Sequence, residues 1–159
     1  MKIGNFPEVV NDNAARITAS FVFFTVLLAL YLHSWILTAF LIYGFAARVL
    51  YGPRFDLFAR VALHGIIPAF KIGNKPTAGP PKRFAQSIGF VFSVTATALA
   101  LSGQYLGFNI VLSVLAFFAF LEAFLGFCAG CFVFGILMKA GIIPEEICER
   151  CNNLSFEKP

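Results

Sequence analysis

The chain has 159 residues, of which 59% are hydrophobic and 13% charged, with 21 phenylalanines and a formal net charge of +4. Soluble domains average roughly 45–50% apolar and about 25% charged residues, so a water-soluble globule of this length could not bury so much apolar surface, whereas a bilayer can. The positive charge does not mark a nucleic-acid binder, because the basic residues flank apolar runs, as they do in membrane proteins.

In chain order, the first apolar run covers about Ala14 to Leu32. It follows Glu8 and Asp12 and closes without a small-residue cleavage site, so it reads as a span and not as a cleavable signal. His33 and Ser34 interrupt it, and a second run from about Trp35 to Tyr51 stops at Gly52-Pro53. From Arg54 to Phe70 the chain mixes Phe55, Leu57, Phe58, Val61, Leu63, Ile66 and Ile67 with Asp56, Arg60 and His64. This pattern predicts an amphipathic helix on the membrane surface, ended by Pro68 and a loop from Gly73 to Pro81. The third run extends from about Phe84 to Ser102 and stops at Gly103-Gln104; the fourth goes from about Phe108 to Met138. A span needs about 20 residues, so the fourth run is long enough to project beyond the membrane.

The expected fold is therefore an all-α membrane protein, a single membrane domain over residues 1–159 with a tail from 141 to 159. Its four transmembrane helices form two hairpins, because the first and third connections are short, and the amphipathic helix lies between them. Every lysine and arginine falls on one side of this arrangement, while the opposite side keeps only two short turns with His33, Trp35 and Tyr105. The positive-inside rule makes the basic side cytoplasmic, which predicts a multi-pass protein of the inner (plasma) membrane with both termini inside. Arg16-Ile-Thr-Ala-Ser20 and Arg83-Phe-Ala-Gln-Ser87 open the first and third spans alike. Either the hairpins are parallel repeats about an axis along the membrane normal, or Arg and Ser simply favour the mouths of spans.

All four cysteines occur as two pairs, Cys128-Ala-Gly-Cys131 and Cys148-Glu-Arg-Cys151, in the pattern C-x2-C-x16-C-x2-C. That spacing suits a zinc site, and each pair alone suits a redox dithiol. Cysteine as a small buried hydrophobe is the plain alternative; it fits Cys128 and Cys131 better than Cys148 and Cys151, which stand among Glu145, Glu146, Glu149 and Arg150. At about 1.5 Å rise per residue, Cys128 comes to the cytoplasmic interface. Gly141 ends the fourth helix there, and Pro144-Glu145-Glu146 starts a short helix that would bring the second pair back to the first. Tetrahedral zinc, dithiol exchange and a persulfide-carrying thiolate are the three chemistries this set allows.

Glu122 is the only charge deep inside an apolar run, and Arg48 lies at equal depth on the second span, so an Arg48–Glu122 ion pair is expected. Ala116, Ala119, Ala123, Gly126 and Gly130 form a small-residue stripe suited to internal packing or, alternatively, to a homodimer face. His64 is a candidate base or ligand, with an interfacial polar contact as the commoner role.

Asn13-Ala-Ala-Arg16, Gly52-Pro-Arg-Phe55, Pro81-Lys-Arg-Phe-Ala-Gln86 and Gly126-Phe-Cys-Ala-Gly-Cys131 occur in order over nearly the whole chain. Together they resemble the bacterial integral-membrane family catalogued as domain of unknown function 4395. The resemblance implies a compact four-helix membrane protein with Cys128 and Cys131 in its shared core motif. It also implies thioredoxin-like or rhodanese-like partners besides the lipid bilayer; the motifs that carry it do not reach Cys148 and Cys151. The leading functional expectation is a thiol protein, acting through Cys128, Cys131, Cys148 and Cys151 in redox or sulfur transfer. The alternatives are a non-catalytic protein with a four-cysteine zinc site, and a small transporter with Glu122 and Arg48 on its path.

Overall fold

The computed structural model describes residues 9–142. Four helical segments are long and apolar enough to cross a membrane: Asp12–Leu32, Trp35–Ala69, Gly79–Leu101 and Tyr105–Leu125. Helix α1 (Asp12–Leu32) is capped by the Asn11 side chain, which accepts from the Asn13 N–H. Two residues, His33 and Ser34, separate it from α2 (Trp35–Tyr51). Gly52, at φ 72°, ends α2 where a proline follows, and a single 3-10 turn covers Gly52–Arg54. The expected amphipathic segment is helical in pieces: α3 (Leu57–Arg60), a π-helical stretch (Val61–Ile66) and α4 (Ile67–Ala69). It turns Ala59 and Ala62 inward and leaves Leu57, Val61 and Phe70 exposed.

The loop that follows contributes one strand of a short two-stranded sheet. Val9–Asn11 (β1) and Pro76–Ala78 (β2) pair antiparallel, with Val10 opposite Thr77. Each strand leads directly into a long helix, β1 into α1 and β2 into α5 (Gly79–Leu101). Helix α5 begins before the expected Phe84, because Pro80 and Pro81 fit a first helical turn, where no backbone N–H is required. Gly103, at φ 75°, closes α5, and the Gln104 N–H donates to the Leu99 carbonyl at 2.9 Å.

Packing is closest between α2 and α5 and between α1 and α6 (Tyr105–Phe120). On α1, Val22, Val26 and Ala29 recur at helical spacing and are buried with Phe108, Leu112 and Leu115 of α6. Thr97 of α5 donates to Thr38 of α2 at 2.7 Å, a polar tie inside an otherwise apolar interface. Outward faces expose Phe24, Leu28, Ile36, Val91, Ile110 and Phe117. In water such a surface would aggregate; hydrocarbon suits it.

The fourth run is not one helix. Beyond α6 the chain forms a π-helical stretch (Leu121–Leu125), Gly126 turns left-handed at φ 69°, and α7 (Ala129–Lys139) starts anew. The expected straight projection thus becomes a break followed by a second helix lying against α5, where the Phe84 and Phe134 rings meet at 5.7 Å. Gly130 abuts Ala85 so closely that no side chain would fit between them. Of the small-residue stripe, Ala116, Ala119 and Ala123 are buried within the bundle and Gly130 admits α5. Gly141, at φ 73°, ends α7 where expected.

A broken helix leaves carbonyls without partners, and hydrocarbon offers none. Arg16 supplies them: its Nε donates to the Ala123 carbonyl at 3.4 Å and its Nη2 to that of Phe124 at 3.2 Å. Its guanidinium carbon lies 3.3 Å from where a Cβ of residue 126 would stand. Gly126→Ala combines that crowding with a left-handed backbone that costs a non-glycine residue about 1–2 kcal/mol. The variant is expected to lower the unfolding midpoint in detergent micelles; an unchanged midpoint would show that the break tolerates a side chain.

Candidate functional site

The break at Gly126 decides where the first cysteine pair sits. Cys128 is the N-cap of α7, with φ −91° and ψ 100°, and its Sγ accepts from the Cys131 N–H at 3.3 Å. Cys128 and Cys131 are joined as a disulfide, their Cα atoms 5.2 Å apart. A sulfur at a helix N-terminus faces unpaired N–H groups and the positive end of the helix dipole, which favours its thiolate once the bond is reduced. The C-x-x-C spacing produces this arrangement because three residues make nearly one helical turn.

Cys128, Ala129 and Gly130 form part of the wall of a cavity of about 670 Å³. Its apolar wall includes Val22, Phe45, Phe92, Leu115, Phe118 and Ala119, and its polar wall Arg48, Lys82, Gln86 and Glu122. His64 also lines the cavity, on an exposed stretch of the chain that leaves it in reach of solvent.

Arg48 and Glu122 do reach one cavity, but the expected pair between them is replaced by two others. Arg48 Nε stands 3.6 Å from Asp56 Oδ2 and donates to the Gly44 carbonyl at 3.1 Å. The guanidinium also stacks over the Phe45 ring at 4.4 Å. Asp56 is the N-cap of α3, accepting from the Ala59 N–H at 2.9 Å. The turn after α2 folds this carboxylate back onto the helix it has just left, beside Gly44, which has no side chain to obstruct it. Glu122 accepts instead from Lys82 Nζ at 2.7 Å, and the same ammonium lies 3.1 Å from Asp12 Oδ1. Equal depth on two spans did not identify the lateral neighbour, and Lys82, in the first turns of α5, is nearer.

Within the described residues, two buried polar atoms of side chains in this cavity wall have no hydrogen-bond partner: Arg48 Nη2 and Gln86 Oε1. Among the described residues, no group of three or more histidine, cysteine or acidic side chains is placed to hold a metal ion. The four-cysteine zinc set needs Cys148 and Cys151, and these, with the expected return helix at Pro144, lie outside the described residues.

The model of the family described as domain of unknown function DUF4395 matches residues 10–139. The chain belongs to this family. The DUF4395 match begins within β1, spans all four long helices, β2 and the Cys128–Cys131 turn, and ends with α7. The second cysteine pair falls beyond it. No curated protein and no solved structure matches the chain.

Proposed function

We propose that this protein is a membrane thiol–disulfide oxidoreductase whose working pair is Cys128 and Cys131. The observation that carries the reading is the cysteine pair closed across the first turn of α7, with Cys128 Sγ accepting the Cys131 N–H. Exchange runs by attack of a partner's thiolate on Cys131 Sγ. That breaks the S–S bond and releases Cys128 as thiolate, the sulfur the helix terminus stabilises and therefore the better leaving group. The partner's second thiol then resolves the mixed disulfide, leaving the pair as a dithiol and the partner oxidised. A thioredoxin-like dithiol suits this step.

The reading places the pair at the cytoplasmic face of the inner membrane, with both termini inside, supported by the one-sided lysine and arginine distribution. It treats the two halves as parallel repeats. Their support is the strand before each of α1 and α5, and the matching reach of Arg16 to the Ala123 carbonyl and of Arg83 to the Val49 carbonyl.

The test uses the full chain with Cys148 and Cys151 changed to serine, in detergent or nanodiscs. Two thiols are expected to become alkylable only after reduction, in one cooperative two-electron transition against a glutathione or thioredoxin buffer. Cys128→Ser and Cys131→Ser should each abolish it. A pair that stays reduced under oxidised glutathione overturns the proposal. So does stoichiometric zinc in the wild-type chain that is lost with Cys128.

A further inference from the structure

A dithiol that is oxidised on each cycle needs somewhere to send two electrons, and the cavity beside Cys128 has the chemistry of such an acceptor. We infer that the cavity binds a membrane quinone, which takes the electrons of the Cys128–Cys131 dithiol; this rests on the exchange reading above. The wall is largely apolar, as a lipid-soluble ring requires, and a volume of about 670 Å³ lies within the range of ordinary ligand sites. Cys128 belongs to the wall, whereas Cys131 does not. One cysteine therefore faces the acceptor and the other is left for the thiol partner.

The polar atoms complete the argument. Arg48 is 5% exposed, and among the described residues its Nη2 is a buried donor without a partner and Gln86 Oε1 a buried acceptor without one. Neither atom touches the open space, so a ligand pairs with them only as the two side chains turn toward it from the wall. A quinone carbonyl accepts from Arg48, and the hydroxyl formed on reduction donates to Gln86. Few apolar molecules present both functions in their two redox states.

The step balances. Cys128 thiolate adds to the quinone ring, and Cys131 thiolate attacks Cys128 Sγ, forming the S–S bond and breaking the S–ring bond. The released electron pair stays on the ring, which takes up the two protons of the dithiol as a hydroquinone. One dithiol is oxidised to disulfide for each quinone reduced to quinol.

The experiment reduces the Cys148→Ser/Cys151→Ser chain, removes the reductant, and adds decylubiquinone while quinone absorbance and free thiols are followed. One quinol is expected per disulfide formed, with saturation in quinone. Arg48→Lys keeps a cation for Asp56 but removes the second donor, and Gln86→Leu removes the acceptor. Each is expected to weaken apparent quinone binding by roughly tenfold or more, well beyond any change in exchange with oxidised glutathione measured on the same samples. If glutathione exchange persists while decylubiquinone leaves the thiols reduced, the quinone inference falls and the exchange reading stands. Quinone reduction that neither saturates nor responds to either variant places the chemistry outside the cavity and also overturns the inference. Loss of exchange with both oxidants removes the two proposals together.

Discussion

Replacing Lys82 with methionine is expected to destabilise the protein by up to about 3 kcal/mol, the low end for breaking a buried ion pair, because its two acids are partly exposed. Lys82 is 6% exposed in its side chain and serves two carboxylates, Glu122 at 2.7 Å and Asp12 at 3.1 Å. Without the ammonium, two like charges are left close together in a partly buried site. The loss is read as a lower unfolding midpoint in mixed micelles. Lys82→Met/Glu122→Gln, which removes one of the two stranded charges, should recover part of it. Equal midpoints for wild type and Lys82→Met would mean that this triad contributes nothing to stability.

Asp56→Ala is the second large effect, for two reasons that a companion variant separates. The carboxylate is 2% exposed and is the acidic partner of buried Arg48. It also caps α3 through the Ala59 N–H. Alanine loses both, with about 1 kcal/mol from the cap added to the roughly 3–5 kcal/mol of a broken buried pair. Asparagine caps as well as aspartate but carries no charge. Asp56→Asn is therefore expected to fall short of Asp56→Ala by about the cap alone. A full rescue by asparagine would show that the charge pairing with Arg48 is dispensable.

The spans were legible because each lies in a long apolar run bounded by chemical breakers, and Gly52, Gly103 and Gly141 stop helices as their positions imply. The break at Gly126 was harder to see. Apolar residues continue through it, so hydropathy shows one long run; its only local sign is a glycine followed shortly by another at Gly130. The strand pair left no signal at all. Val9-Val10-Asn11 and Pro76-Thr77-Ala78 are too short to show a period, and they pair because the helices after them bring their ends together.

The ion pairs show a limit of a different kind. Rise per residue gives depth along a helix, and equal depth was the whole basis for pairing Arg48 with Glu122. Choosing between partners at one depth needs the lateral arrangement of helices. Here it also needs a chain reversal that returns Asp56 to the helix it follows. Lys82, read only as one of many basic residues on one side, gave no sign of turning inward. The orphaned atoms of Arg48 and Gln86 were not accessible from sequence, since nothing in a residue's identity says whether its partners are used.

The capping of the broken helix by Arg16 also constrains the order in which the molecule is made. Arg16 leaves the ribosome 107 residues before Ala123, whose carbonyl it holds. Asp12 waits likewise for Lys82, and β1 for β2. The first two helices can enter the bilayer early, but the end of the bundle where the chain enters α1 stays chemically open until the last long helix arrives. A nascent chain halted after α5 would carry an arginine at the membrane boundary with neither of those carbonyls yet made.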